Sequence, residues 1–107
     1  RFAPSIDIIK QLQTEGARIK VFDPVAMERA AGLLEDVDFC KNAYEVAMNS
    51  DCLVILTEWN EFRELDLLRV KEAMKNPVII DGRNIYDPAT MKKIGISYVS
   101  MGRGMIE

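Results

Sequence analysis

Residues 52–56, Cys52-Leu53-Val54-Ile55-Leu56, are five apolar side chains in a row with no polar residue among them. A strand wetted on one face alternates apolar with polar. An unbroken run this short therefore predicts a strand covered on both faces, a central strand of a parallel sheet flanked by helices. Val78-Ile79-Ile80 is a second run of the same kind. Between the two, Leu67, Val70 and Met74 form an amphipathic helical stripe, and Pro77 stops it because the residue before a proline disfavours helical geometry. Strand, helix and strand thus follow one another in the middle of the chain.

The same alternation continues in both directions. Towards the carboxyl end, Asp87-Pro88 places a capping acid before a proline at the first helical position, and residues 96–100 alternate as an edge strand does. Towards the amino end, Asn42-Ala43-Tyr44-Glu45 has the capping-box spacing that opens a third helix, and residues 37–39 read as a brief strand. A second helix carries Val25, Met27, Ala30, Ala31 and Leu34, and opens at Asp23-Pro24 after a short strand at residues 19–22. The first helix carries Ile6, Ile8, Ile9 and Leu12 and closes at Gly16. Five strands alternating with helices on short connections predict an α/β fold, a Rossmann-like open parallel sheet flanked by helices, with right-handed crossovers. No strand precedes the first helix, and the chain opens at Arg1, so it reads as a fragment from which upstream sequence has been removed.

The 107 residues suit one domain, 1–107, and are too few for a cofactor domain beside a substrate domain. A net charge of -3 argues against a nucleic-acid partner or an anionic membrane, which need clustered cations, so any bound phosphate must meet a local one. No apolar stretch has bilayer-spanning length and no signal-peptide pattern is present, which makes a cytoplasmic location the expectation. Cys40 and Cys52 are far apart in a chain without histidine, so neither a zinc site nor a disulfide framework is expected, and both should be reduced and structural.

Ligands of open α/β sheets sit beyond the carboxyl ends of the strands, where helix N-termini and loop amides converge. Three segments qualify: Asp23-Pro24, residues 57–62, and Asp81-Gly82-Arg83-Asn84. Asp23 stands where a dinucleotide-binding domain keeps its ribose-binding acid, yet the adjoining proline and the lack of an upstream glycine-rich loop favour helix capping. Gly102-Arg103-Gly104 is the sole Gly-x-Gly, and no helix follows it, so it is not a phosphate loop. Arg83 offers a guanidinium on a glycine-containing turn, suited to paired bonds with phosphate or a sugar hydroxyl and equally readable as a surface arginine. Trp59 and Phe62, three apart, either cover a base or sugar face or close the core, and packing is the commoner use. Cys52 lacks an activating neighbour and is rejected as a nucleophile. The acidic run at residues 61–66 lacks the spacing of a calcium loop, so no metal is expected.

Taken together, Arg1-Phe2-Ala3-Pro4-Ser5, Phe22-Asp23-Pro24, Thr57-Glu58-Trp59-Asn60-Glu61-Phe62, Asp81-Gly82-Arg83-Asn84 and Tyr98-Val99-Ser100-Met101-Gly102-Arg103 resemble the UDP-glucose 6-dehydrogenase family in order and spacing. The resemblance covers essentially the whole chain and points to that family's C-terminal, UDP-binding domain. It implies an oxidoreductase that converts UDP-glucose to UDP-glucuronate in two hydride transfers to NAD, for nucleotide-sugar and polysaccharide biosynthesis, as a homo-oligomer. It places the catalytic cysteine, and most of the NAD site, upstream of this chain, so the fragment alone should be inactive. Residue by residue it assigns Arg1 to the NAD cofactor and Arg83 to the UDP-sugar. The family's first strand, with its substrate-touching Phe-Lys pair, is absent here. Thr57-Glu58-Trp59 favours UDP-glucose over the substrates of the related GDP-mannose and UDP-N-acetylmannosamine dehydrogenases. The rival reading is a non-catalytic nucleotide-binding or partner-docking α/β module. A phosphoacceptor domain fits less well, because Asp51 stands at the entrance of its strand.

Overall fold

The computed structural model describes residues 3–101, so Arg1 and the Gly102-Arg103-Gly104 segment lie outside the described residues. The chain divides into two compact units, one ending at Val46 and the other beginning at Ala47.

The first unit opens with α1 (Ala3–Thr14). Its end is a Schellman arrangement: the Ala17 amide donates to the Leu12 carbonyl and the Gly16 amide to that of Gln13. Gly16 sits at φ +98°, where a side chain would be strained, and so the helix stops where the sequence places a glycine. β1 (Ile19–Val21) and β2 (Val37–Phe39) pair in parallel, Ile19 opposite Val37 and Val21 opposite Phe39. The crossover between them carries α2 (Met27–Ala31). Ile6 and Ile9 of α1, with Ala30 and Leu34, form the core, and Ile19, Val21 and Val37 pack against it. A leucine or isoleucine side chain contributes about 2 kcal/mol when taken fully out of water, and the methyl of Ala30 less.

Two sequence expectations shift here. Leu12, assigned to the apolar stripe of α1, is exposed, as is Val25, assigned to that of α2. For Val25 the reason is local: the Asp23 carboxylate accepts the Val25 and Ala26 amides at 2.9 and 3.0 Å. Residues 24–26 thereby form a capped turn, and the helix begins only at Met27.

α3 (Ala43–Ala47), whose last residue is the first of the second unit, is opened by the expected reciprocal cap. Asn42 Oδ1 accepts the Glu45 amide at 2.9 Å, while Glu45 Oε1 reaches back to the Lys41 amide at 2.7 Å.

The second unit is built on three parallel strands, β3 (Leu53–Ile55), β4 (Val78–Asp81) and β5 (Ser97–Ser100), in the order β3-β4-β5. Its helices are α4 (Asn60–Arg63), α5 (Leu67–Ala73) and α6 (Pro88–Ile94). All five expected strands exist and all pairings are parallel, hydrogen-bonded as a pair and a trio. Within the trio β4, not β3, is the middle strand, and Val54 of β3 is 37% exposed while Ile79 of β4 is fully enclosed. The unbroken run at β3 thus gives neither the expected cover on both faces, since Leu53 and Ile55 are buried and Val54 is exposed, nor the strand's lateral place. β5 is the edge strand its pattern predicts. Asp87 caps α6, accepting the Thr90 amide at 3.0 Å, with Pro88 in the first turn as expected. The short α4 falls within a stretch that the sequence presents only as two aromatics and an acidic run.

Candidate functional site

β4 delivers Asp81 to the carboxyl end of the trio with no solvent exposure. A buried carboxylate is tolerated only when its lone pairs are filled, and here four donors fill them. Oδ1 accepts the Arg83 amide at 2.9 Å. Oδ2 accepts the Ile85 amide at 2.7 Å, the Tyr86 amide at 3.1 Å and the Tyr98 hydroxyl at 2.6 Å. One side chain therefore ties down the turn that follows its own strand and joins it to β5.

Further contacts pin the same turn. The Gly82 amide donates to the Ile55 carbonyl at 2.9 Å, and a Cβ on Gly82 would lie 3.1 Å from that oxygen, so glycine is what lets the turn lie against β3. Ser100 Oγ donates to Asn84 Oδ1, and Asn84 takes the left-handed conformation at φ 57°. The Tyr86 hydroxyl donates to the Phe62 carbonyl at 2.6 Å, and the Tyr86 and Tyr98 rings meet edge to face at 6.4 Å.

On this fixed turn the Arg83 side chain is itself exposed. Its guanidinium stands 3.6 Å from Glu58 Oε1, and the other oxygen of Glu58 accepts from Arg63 at 2.9 Å. The hydrogen bond from Arg63, with the charges of both arginines, holds the Glu58 carboxyl below its ordinary range. Two guanidiniums share one carboxylate, so the group carries a net positive charge in a chain of net charge -3. Such an arrangement can exchange the weaker ion pair for paired hydrogen bonds to a phosphate.

The structure thus brings together two of the three segments singled out by sequence, residues 57–62 and Asp81–Asn84, through Arg83 and Glu58. Asp23 belongs to the first unit and has the structural role favoured for it, although it caps the turn at residues 24–26 and not the helix itself. Phe62 is buried and closes the core, while Trp59 is partly buried, its indole N–H enclosed without a partner. Arg1 lies outside the described residues. The residues that sequence reasoning missed are Asp81 as organiser, Tyr98 as its clamp and Glu58 as the arginine's partner. The signal for Asp81 was an acid ending an apolar strand; for Tyr98, 17 residues on, no local signal exists. Burial pushes the Cys40 and Cys52 thiols up, away from thiolate character, in line with the rejection of Cys52 as a nucleophile. After β1, Asp23 Oδ1 is taken up by the Val25 and Ala26 amides of its own turn. Among the described residues no helix is long and apolar enough to cross a membrane.

Comparison with known proteins bears on this geometry. The UDP binding domain of the UDP-glucose/GDP-mannose dehydrogenase family, as a sequence profile, matches residues 1–88. The UDP-glucose 6-dehydrogenase of Rhizobium meliloti (strain 1021) is 47% identical over 96% of this chain and 24% of that protein. That of Bacillus subtilis (strain 168) is 42% identical over 96% of this chain and 23% of that protein. The chain accordingly spans about a quarter of the length of the curated relatives it matches. Among solved structures, an NDP-N-acetyl-D-galactosaminuronic acid dehydrogenase from Methanosarcina mazei Go1 superposes with a TM-score of 0.76 at 31% identity, covering 95% of this chain and 21% of the other.

Proposed function

The chain belongs to the UDP-glucose/GDP-mannose dehydrogenase family, in its UDP binding domain, and on that premise we propose that it forms the nucleotide-sugar-holding part, residues 1–107, of a UDP-glucose 6-dehydrogenase. The enzyme oxidises UDP-glucose to UDP-glucuronate with two NAD, in the cytoplasm and as a homo-oligomer. The observation that carries this reading is Arg83, an exposed guanidinium on a turn locked by the buried Asp81 at the carboxyl ends of β3 and β4. In that position it offers a fixed fork of donors to the diphosphate or a sugar hydroxyl, and it stays charged at any working pH. Glu58 holds the guanidinium in the absence of ligand and yields it when a stronger anion arrives.

This chain supplies binding and orientation rather than the nucleophile: Cys40 and Cys52, their thiols pushed up by burial, are not the reacting cysteine. NAD supplies the hydride acceptor, and Arg1 is this chain's contact with it; the rest of the dinucleotide site belongs to sequence outside the chain. UDP-glucose is the favoured sugar because Thr57-Glu58-Trp59 matches the UDP-glucose enzymes and two relatives of that name are 47% and 42% identical. The test is to assay the dehydrogenase that carries this chain for NADH formation with UDP-glucose, UDP-N-acetylmannosamine and GDP-mannose. Two NADH for each UDP-glucose are expected. Turnover of either rival alone would overturn the choice of sugar, and turnover of none would favour a docking module.

A further inference from the structure

Arg83 has an exposed side chain on a backbone that is held from beneath. Its amide is taken by Asp81 Oδ1, and the far end of the same turn, at Ile85 and Tyr86, is taken by Oδ2. The two oxygens of one carboxylate therefore span the turn like a brace. That brace acts only if the carboxylate plane cannot rotate, and the group fixing the plane from outside the turn is the Tyr98 hydroxyl, 2.6 Å from Oδ2. Tyr98 stands on β5 opposite Ile79, so its own position is set by the sheet ladder, and its ring packs edge to face on Tyr86.

We propose that Asp81 and Tyr98 are positioning residues for the nucleotide sugar, acting through Arg83: Tyr98 fixes the plane of the Asp81 carboxylate, and the carboxylate fixes the backbone from which the guanidinium reaches the ligand. This rests on the reading of Arg83 as a substrate-binding residue. A guanidinium on a long stem loses conformational freedom when it binds, and a backbone already fixed reduces what remains to be ordered. Without the Tyr98 hydroxyl, Oδ2 keeps two amides and the carboxylate is free to turn about its terminal torsion. Asp81→Asn acts more locally. An amide that points its one oxygen at the three donors on the Oδ2 side turns its NH2 towards the Arg83 N–H, setting donor against donor at the residue that matters.

The experiment is a double-mutant cycle in the dehydrogenase that carries this chain, with Tyr98→Phe and Arg83→Ala made singly and together. Tyr98→Phe is expected to raise KM for UDP-glucose roughly fivefold with kcat within about twofold, the scale of one modest hydrogen bond. In the Arg83→Ala background it should add nothing. Val70→Ala, a change at a fully enclosed site in α5, serves as the control that lowers Tm while leaving KM alone. Asp81→Asn run through the same cycle keeps the question answerable if one variant folds poorly. Equal rises in both backgrounds would overturn the proposal, because they mark a structural effect that bypasses Arg83. A rise for Arg83→Ala with none for Tyr98→Phe would overturn it too, leaving Arg83 in the site. No effect of Arg83→Ala would remove Arg83 from the site and the proposal with it.

Discussion

Asp23 and Asp81 both stand at the carboxyl end of a parallel strand and both accept the amide two residues ahead. The likeness ends there. Asp23 is partly exposed, and its Oδ1 serves the neighbouring amides of Val25 and Ala26. Asp81 is fully enclosed and takes four donors, one of them from β5. The first acid shapes a turn for its own helix. The second joins a turn to a sheet and makes that turn a platform for Arg83. Local chemistry is the same in both, and what separates cap from organiser is burial together with a partner distant in sequence.

The largest expected effect follows directly. Asp81→Ala leaves three amides and a hydroxyl facing a void and should lower stability by about 4 kcal/mol, whereas Asp23→Ala loses a turn cap worth about 1 kcal/mol. Urea unfolding of the two variants measures both. Equal losses would erase the distinction between the two acids.

A smaller contrast comes from glycines in the two units. Gly82→Ala forces a Cβ against the Ile55 carbonyl at 3.1 Å, where backbone rather than a flexible side chain must give way, and should destabilise by about 1–2 kcal/mol. Gly32→Ala, whose Cβ meets the Arg29 carbonyl at an ordinary 3.6 Å, should be close to neutral. Thermal melts that rank them the other way would show the turn to be looser than drawn.

The smallest effect appears in alkali. Burial, with the hydrogen bond to Asp81, pushes the Tyr98 hydroxyl above the ordinary tyrosine range. A group whose pKa is raised on folding binds more protons in the native state, so its stabilisation is complete below the unfolded tyrosine value, about 10, and is lost as pH rises past it. Unfolding followed between neutral and strongly alkaline pH should show that loss in the wild type and a weaker one in Tyr98→Phe. Identical pH profiles would separate Tyr98 from the Asp81 network.

Most elements were legible because their causes are local. The apolar runs at residues 53–55 and 78–80, the Asn42–Glu45 cap, Asp87-Pro88 and Gly16 each act within a few residues. The lateral order of strands was not legible, since β3 and β4 carry similar runs and only pairing partners place β4 between β3 and β5. The start of α2 was misplaced for a related reason: Asp23-Pro24 fits a helix cap and a capped turn equally well. At the site, Arg83 stood out by position on its turn. Glu58 and Tyr98 did not, because each reaches the turn from another element, and Asp81 looked like a strand end until its four donors were known.

If this chain holds a nucleotide diphosphate through Arg83, calorimetric titration of UDP into the chain and its Arg83→Ala variant will show it. UDP is expected to bind the wild-type chain and to bind the variant more weakly by about tenfold or more, with little heat from NAD in either. Equally tight UDP binding by both, or none by the wild type, would contradict it.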